Sequence, residues 1–232
     1  MSTLSLLGVL SLSACSNVPN PPIETLKFAF SDFNNVIDQT KLNPNYIYLR
    51  IAINDLPSVL VLGFVDQDPS GPVQVWYTNE RAVLRLQNGR FLGSGKLGID
   101  WQNVRLSHAP AFSDLLGSLN SSTQNHMSNR SYVRLRDEMP GYHFGIRETV
   151  NITPLSQMPG NIPSKMRDLL KNKNLVWFAE NVDPETSNST ASRPAIYGVS
   201  PKGAGANEGE VVFGQQCLAP DYCISWMPWK SP

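Results

Sequence analysis

What most constrains this chain is a succession of short runs rich in β-branched and aromatic residues, each closed by glycine, proline or asparagine. "YIYLRIAI" (46–53) alternates as a half-buried strand does. "SVLVLGFVDQ" (58–67) is a more continuous apolar run, which places it centrally in a sheet. After "DPSGP" the chain returns through "VQVWYTNE" (73–80). Asn88-Gly89 then splits "AVLRLQNGRFLGSG" into two short runs. That dipeptide favours a two-residue hairpin turn, because both central positions need positive φ. "DWQNVRLSH" continues the pattern, and "SYVRLRDE" and "YHFGIRETVNITPL" flank the turn "MPG" as a second hairpin. "NLVWFAENV", "AIYGVS" and "GEVVFGQQC" close the sheet. Eighteen prolines and sixteen glycines also argue for many turns and against a helical bundle.

Helical signals are few. "SDFNNVIDQTK" (31–41) sets Phe33, Val36 and Ile37 at i, i+3, i+4 behind Ser31 as N-cap. "APAFSDLLGSL" and "PSKMRDLLKNK" each read as a short helix. "NSSTQNHMSNR" (120–130), "DPETSNSTASRP" and "SPKGAGANEGE" read as polar excursions between elements. No long-period repeat occurs, which excludes a solenoid or propeller.

The N-terminus sets the expected compartment. "STLSLLGVLSLSA" is uncharged and apolar, and too short for a membrane span of about 20 residues. It fits the apolar region of a secretory signal peptide over 1–14. Leu12-Ser13-Ala14-Cys15 looks like a bacterial lipobox, so Cys15 is the expected lipidation site. Stable anchoring takes two or more acyl chains. Residues 16–24, "SNVPNPPIE", then read as a proline-rich tether, and Ser16 resembles the outer-membrane sorting pattern. With Cys15 acylated, Cys217 and Cys223 remain as a candidate disulfide in an oxidising periplasm. Their five-residue spacer favours a structural clip over a redox pair.

Charge is balanced at 19 Lys+Arg against 19 Asp+Glu, with no basic cluster, so a nucleic-acid footprint is excluded. "GSGKLG" (93–98) has the spacing of a dinucleotide fingerprint, but a hairpin precedes it and no helical periodicity follows, so it reads as a turn. His108, His126 and His143 have no zinc-ligand spacing, no nucleophile motif accompanies them, and no cofactor, metal or catalytic residue is expected. Asp137, Glu138 and Glu148 are the carboxylates a glycosidase reading would use, but as they stand they read as solvated faces and turn caps. Trp76, Tyr77, Trp101, Tyr142 and His143 are candidate contacts for a glycan or a partner, although aromatics in strands more often pack in the core.

"YIYLRIAINDLPSVLVLGFVDQ", "VWYTNERAVLRLQNGRFLGSGKLG" and "YVRLRDEMPGYHFGIRETV" together resemble the group 4 capsule polysaccharide lipoprotein family, the GfcB/YjbF or YmcC-like lipoproteins. An aliphatic strand pair precedes a W-Y-x-x-x-x-A-x-L segment, Trp76 to Leu84. A glycine-marked hairpin follows, and then an arginine-containing strand ends in Pro140-Gly141-Tyr142. The resemblance runs from about Ile47 to Thr149 and more loosely through "LVWFAENV" and "GEVVFGQQC". It implies an all-β fold of coiled, packed antiparallel sheets, sandwich or open-barrel-like, with two or three short helices in a single domain over 25–232. It implies no catalytic motif. It further implies work on the periplasmic face of the outer membrane, beside a β-barrel partner and other periplasmic proteins of polysaccharide export. The insertion around Asp183–Arg193 and the Cys217/Cys223 tail depart from the family pattern.

Three readings follow. A binding or scaffold protein leads, and it predicts no clustered, partly buried carboxylates. A glycan-modifying enzyme predicts two carboxylates facing each other across a cleft. A lipid or lipoprotein carrier predicts a sizeable dry cavity.

Overall fold

The computed structural model describes residues 39, 41–120, 130–186, 193–204 and 206–229. Cys15, the tether and most of the expected 31–41 helix lie outside these residues, as does His126. Among the described residues, twelve strands follow one another: β1 (Tyr48–Ile53), β2 (Leu56–Asp68), β3 (Gly71–Tyr77), β4 (Val83–Gln87), β5 (Arg90–Gly95) and β6 (Asp100–Ser107) come first. After helix α1 (Phe112–Asn120) come β7 (Ser131–Met139) and β8 (His143–Leu155), then helix α2 (Ser164–Leu170). The chain ends in β9 (Val176–Val182), β10 (Ala195–Val199), β11 (Val211–Ala219) and β12 (Tyr222–Trp229).

All twelve lie in one antiparallel sheet, ordered β5-β4-β3-β2-β1-β12-β11-β10-β9-β8-β7-β6. Each strand pairs with its neighbour in sequence except at β5/β6. The first and last strands pair with each other, from Tyr48↔Trp229 to Ile53↔Ile224. The sheet therefore nearly closes into a barrel, with its seam between β5 and β6. The two seam strands touch without a ladder: a Cβ built on Gly93 would stand 3.0 Å from the Trp101 carbonyl oxygen.

The barrel is flattened and filled. Phe91 of β5 packs on Trp226 of β12, ring centroids 6.3 Å apart, although the two strands are on opposite sides of the ring of strands. Trp101, Leu60, Leu84 and Val150 are fully buried in this inner core. Phe112 of α1 joins it against Phe178 and Tyr197 at 5.8 and 5.0 Å. A second apolar cluster covers the outer face of β9–β12 and β1, where Ile162, Met166 and Leu170 of the α2 region pack on Phe213 and Met227.

Most expected elements appear where the pattern placed them. Asn88 and Gly89 take φ of 50° and 77°, the positive values a type I′ hairpin needs. "GSGKLG" is the end of β5 and the turn into β6, held by the Asp100 carboxylate, which accepts from Ser94 Oγ and the Lys96 and Leu97 amides. β2 does lie between β1 and β3, yet only Leu60 of its apolar run is fully buried. A bulge at Leu62/Phe64 leaves Phe64 and Val65 exposed. Strand β12 was not foreseen. Both its faces are covered, Ile224 and Trp226 by the inner core and Ser225 and Met227 on the outside, so no polar–apolar alternation marks it.

Because consecutive strands alternate in direction, the turns at 54–55, 96–99, 140–142 and 220–221 gather at one end of the barrel. The connections carrying α1 and α2, and the chain entering β1 and leaving β12, lie at the other end.

Candidate functional site

The residues expected to touch a glycan or partner separate by burial. Trp76 and Trp101 are core residues, 3% and 0% exposed, so their ring faces are not available to a sugar; this corrects the expectation for both. Tyr77 is half-buried and lies against Gly63 and Phe64. Tyr142 and His143 stand at the tip of the β7–β8 hairpin, at the open-turn end of the barrel. Tyr142 (74% exposed) and Phe144 (65%) set their rings 6.5 Å apart, and the His143 side chain is largely exposed beside them. Asp137 supports this tip, accepting from Asn103 Nδ2 and the Gly145 amide, bonds that hold its carboxyl below the usual range.

A charged network runs through the barrel interior, and the sequence reading did not locate it. On β7, Tyr132, Arg134 and Arg136 share the inward face. On β8, Glu148 is inward and 0% exposed, which overturns its reading as part of a solvated face. Arg134 Nε donates to Glu148 Oε2 at 2.7 Å and Arg136 Nη2 to Oε1 at 3.0 Å. Arg136 Nη1 also donates to Glu138 Oε2 at 2.7 Å, and Arg134 Nη1 to Gln216 Oε1 at 3.3 Å. Both guanidinium groups lie over the Trp101 ring, 4.7 and 3.9 Å from its centroid. Burial alone would raise the Glu148 carboxyl, but the Arg134 charge and the Arg136 hydrogen bonds and charge outweigh it and hold the group below the usual range.

A second pair sits alongside. Arg90 Nε of β5 donates to Glu180 Oε1 of β9 at 2.7 Å, and the Tyr132 hydroxyl donates to Glu180 Oε2 at 2.7 Å. The Arg90 guanidinium lies 4.0 Å from the Phe112 centroid. Burial pushes the Tyr132 and Tyr197 hydroxyls up, with the Glu180 charge adding to it, so both remain protonated. The carboxylates Glu138, Glu148 and Glu180 are thus clustered and buried or partly buried, contrary to what the scaffold reading predicts. They do not face each other across a cleft, because each is committed to an arginine. No group of three metal-ligating side chains occurs among the described residues.

Cys217 and Cys223 are bonded, and they are direct partners in the β11–β12 register. The clip therefore spans a hairpin whose turn is Pro220-Asp221. The sequence signal that could have exposed the interior network is the period-2 series Tyr132, Arg134, Arg136, Glu138. A polar face recurring that regularly can point inward only if another strand supplies the opposite charge.

No family model matches the chain, and no curated protein sequence matches it. Among solved structures, the hypothetical lipoprotein YmcC from Escherichia coli K12 is similar in fold. The TM-score is 0.52 over 88% of this chain and 94% of that one, at 17% sequence identity. The expected likeness to YmcC-like lipoproteins therefore holds at the level of fold.

Proposed function

We propose that this chain is a lipid-anchored lipoprotein on the periplasmic face of the outer membrane, assisting capsule or exopolysaccharide assembly or secretion as a binding or scaffold protein. The observation that carries the reading is the coincidence of two features. One is the near-closed twelve-strand fold, similar to that of a lipoprotein over 88% of the chain. The other is the lipobox-like Leu12-Ser13-Ala14-Cys15 ahead of a proline-rich tether. Action by binding is favoured over catalysis because the interior carboxylates are neutralised by arginines. It is favoured over carriage because aromatic rings and ion pairs fill the described interior. The exposed Tyr142–Phe144 tip is the surface offered to an outer-membrane β-barrel or to other periplasmic export proteins.

The test is intact mass and membrane fractionation of the full chain in a Gram-negative host, beside Cys15→Ala. A diacyl or triacyl chain beginning at Cys15 in outer membranes is expected, with the variant soluble or unprocessed. An unmodified, soluble chain that keeps its first residues would overturn the anchor and the compartment together.

A further inference from the structure

A cavity of about 310 Å³ opens on the outer face of the barrel at its open-turn end, away from the interior network and the Tyr142 tip. Its floor is formed by outward side chains of β11 and β12, Gln215 and Ser225, which face each other directly in register. These two interrupt an otherwise apolar outer face running from Phe213 to Met227. Gln215 is 3% and Ser225 1% exposed, and a buried polar pair is costly unless hydrogen-bonded. Here the bonds are supplied: Gln215 Nε2 donates to Ser225 Oγ at 2.9 Å, and Asn161 Nδ2 donates to Gln215 Oε1 at 3.1 Å.

The walls are equally fixed. Asn54 bridges two turns: its Nδ2 donates to the Asp221 carbonyl at 2.6 Å, and its Oδ1 accepts from the Cys223 amide at 2.8 Å. The Cys217–Cys223 bond secures the same hairpin. Asp55, Asp221 and Arg193 stand exposed at the rim.

We infer that this cavity binds one neutral sugar unit. The inference rests on the glycan part of the function proposed above and names the place of contact. Three properties select that ligand class. Among the described residues the lining is amide, hydroxyl, carboxylate and guanidinium, with only Pro163 and Cys223 apolar, so an acyl chain or aromatic ligand finds no matching surface there. Two carboxylates against one guanidinium disfavour a small anion such as phosphate. The volume is at the lower end of ligand pockets, roughly 300–1,000 Å³, and holds about one hexose. Sugar hydroxyls donate and accept at once, so they suit a rim that offers carboxylate acceptors beside guanidinium donors. With no ring to stack on among the described lining residues, a single unit binds weakly, and affinity for a polymer would come from repetition.

The experiment is an amide-resolved NMR titration of the full chain, disulfide intact, with D-glucose, D-galactose and N-acetylglucosamine, and with inorganic phosphate as the contrasting probe. Saturable shifts of the Gln215 and Asn161 side-chain amides and the Cys223 backbone amide are expected with at least one sugar, and none with phosphate. Asp55→Asn with Asp221→Asn should weaken that sugar about tenfold, the worth of a charge-assisted hydrogen bond. Asn tolerates the left-handed backbone of Asp55, φ 70°, so the turn is kept. No response to any of the three sugars, a response to phosphate instead, or equal binding by the double variant would overturn the inference. Those results leave the anchoring test untouched. Conversely, sugar binding by a chain that is never lipidated would retain the site and remove the compartment.

Discussion

Arg134 and Arg136 occupy the face of β7 that an alternating strand ordinarily turns to solvent, while Val133 and Leu135 are only half-buried. What reverses the usual order is Glu148 on the adjacent strand, which receives both guanidinium groups. Removing one partner of a buried ion pair leaves an uncompensated charge and typically costs about 3–5 kcal/mol. Glu148→Gln should therefore lower unfolding free energy by about 3 kcal/mol, read from urea denaturation at neutral pH. The same residue sets an acid limit. Its folded-state pKa is depressed below the unfolded value, so its contribution is complete above about pH 4.3 and fades as pH falls from there towards the folded value. The wild type should lose stability over that window and the Gln variant should lose less; equal slopes would show that Glu148 is not the acid-sensitive group. The arginines were visible in the sequence, but their direction was not. A one-residue change of register exchanges the two faces of a strand, and only the neighbouring strand decides between them.

Among the elements, the β4–β5 hairpin illustrates what local signals do and do not carry. Asn88-Gly89 announces the turn, but not that the turn packs across the barrel against β11. A Cβ on Gly89 would stand 2.3 Å from Val211 Cβ, and the Gly89 carbonyl accepts from Trp226 Nε1 at 3.3 Å. Gly89→Ala thus meets both a left-handed backbone and a packed side chain, and should cost about 3 kcal/mol. Val211→Gly in the same chain removes the obstructing Cβ with its methyls and, measured against Val211→Gly alone, should recover part of the loss in thermal or urea melts. No recovery would mean that backbone strain acts alone. The paired hairpins, the two short helices and the GSGKLG turn were legible because each is written locally. β12 was not, since a strand buried on both faces loses its alternation, and Pro228 near its end reads as a breaker. The Cys217–Cys223 pairing was legible as a clip, while its place across a hairpin depended on recognising β12.

For the whole molecule, the consequence of β12 is closure. A meander of eleven strands would leave β1 and β11 as open edges, and such edges recruit other chains. β12 pairs with both, through six register partners on β1 and a bulged ladder on β11, and it carries Trp226 into the contact between the two sides of the flattened barrel. The pairing also sets the first and last strands side by side, and their directions put the start of β1 and the end of β12 at the end of the barrel opposite the Tyr142 tip and the Gln215–Ser225 cavity. Were the chain anchored through Cys15 as proposed above, the Tyr142 tip and the cavity would lie at the end of the barrel away from the start of β1. A chain ended at Ala219 should therefore lose cooperative unfolding and be recovered as aggregates. A peptide of residues 220–232, added during refolding, should restore solubility by strand addition, with its tryptophan fluorescence shifting to the blue as Trp226 is buried. A truncated chain that stays monomeric and melts in one sharp transition would show that the eleven remaining strands close by themselves, and that the β1–β12 pairing is not what holds the two halves of the sheet together.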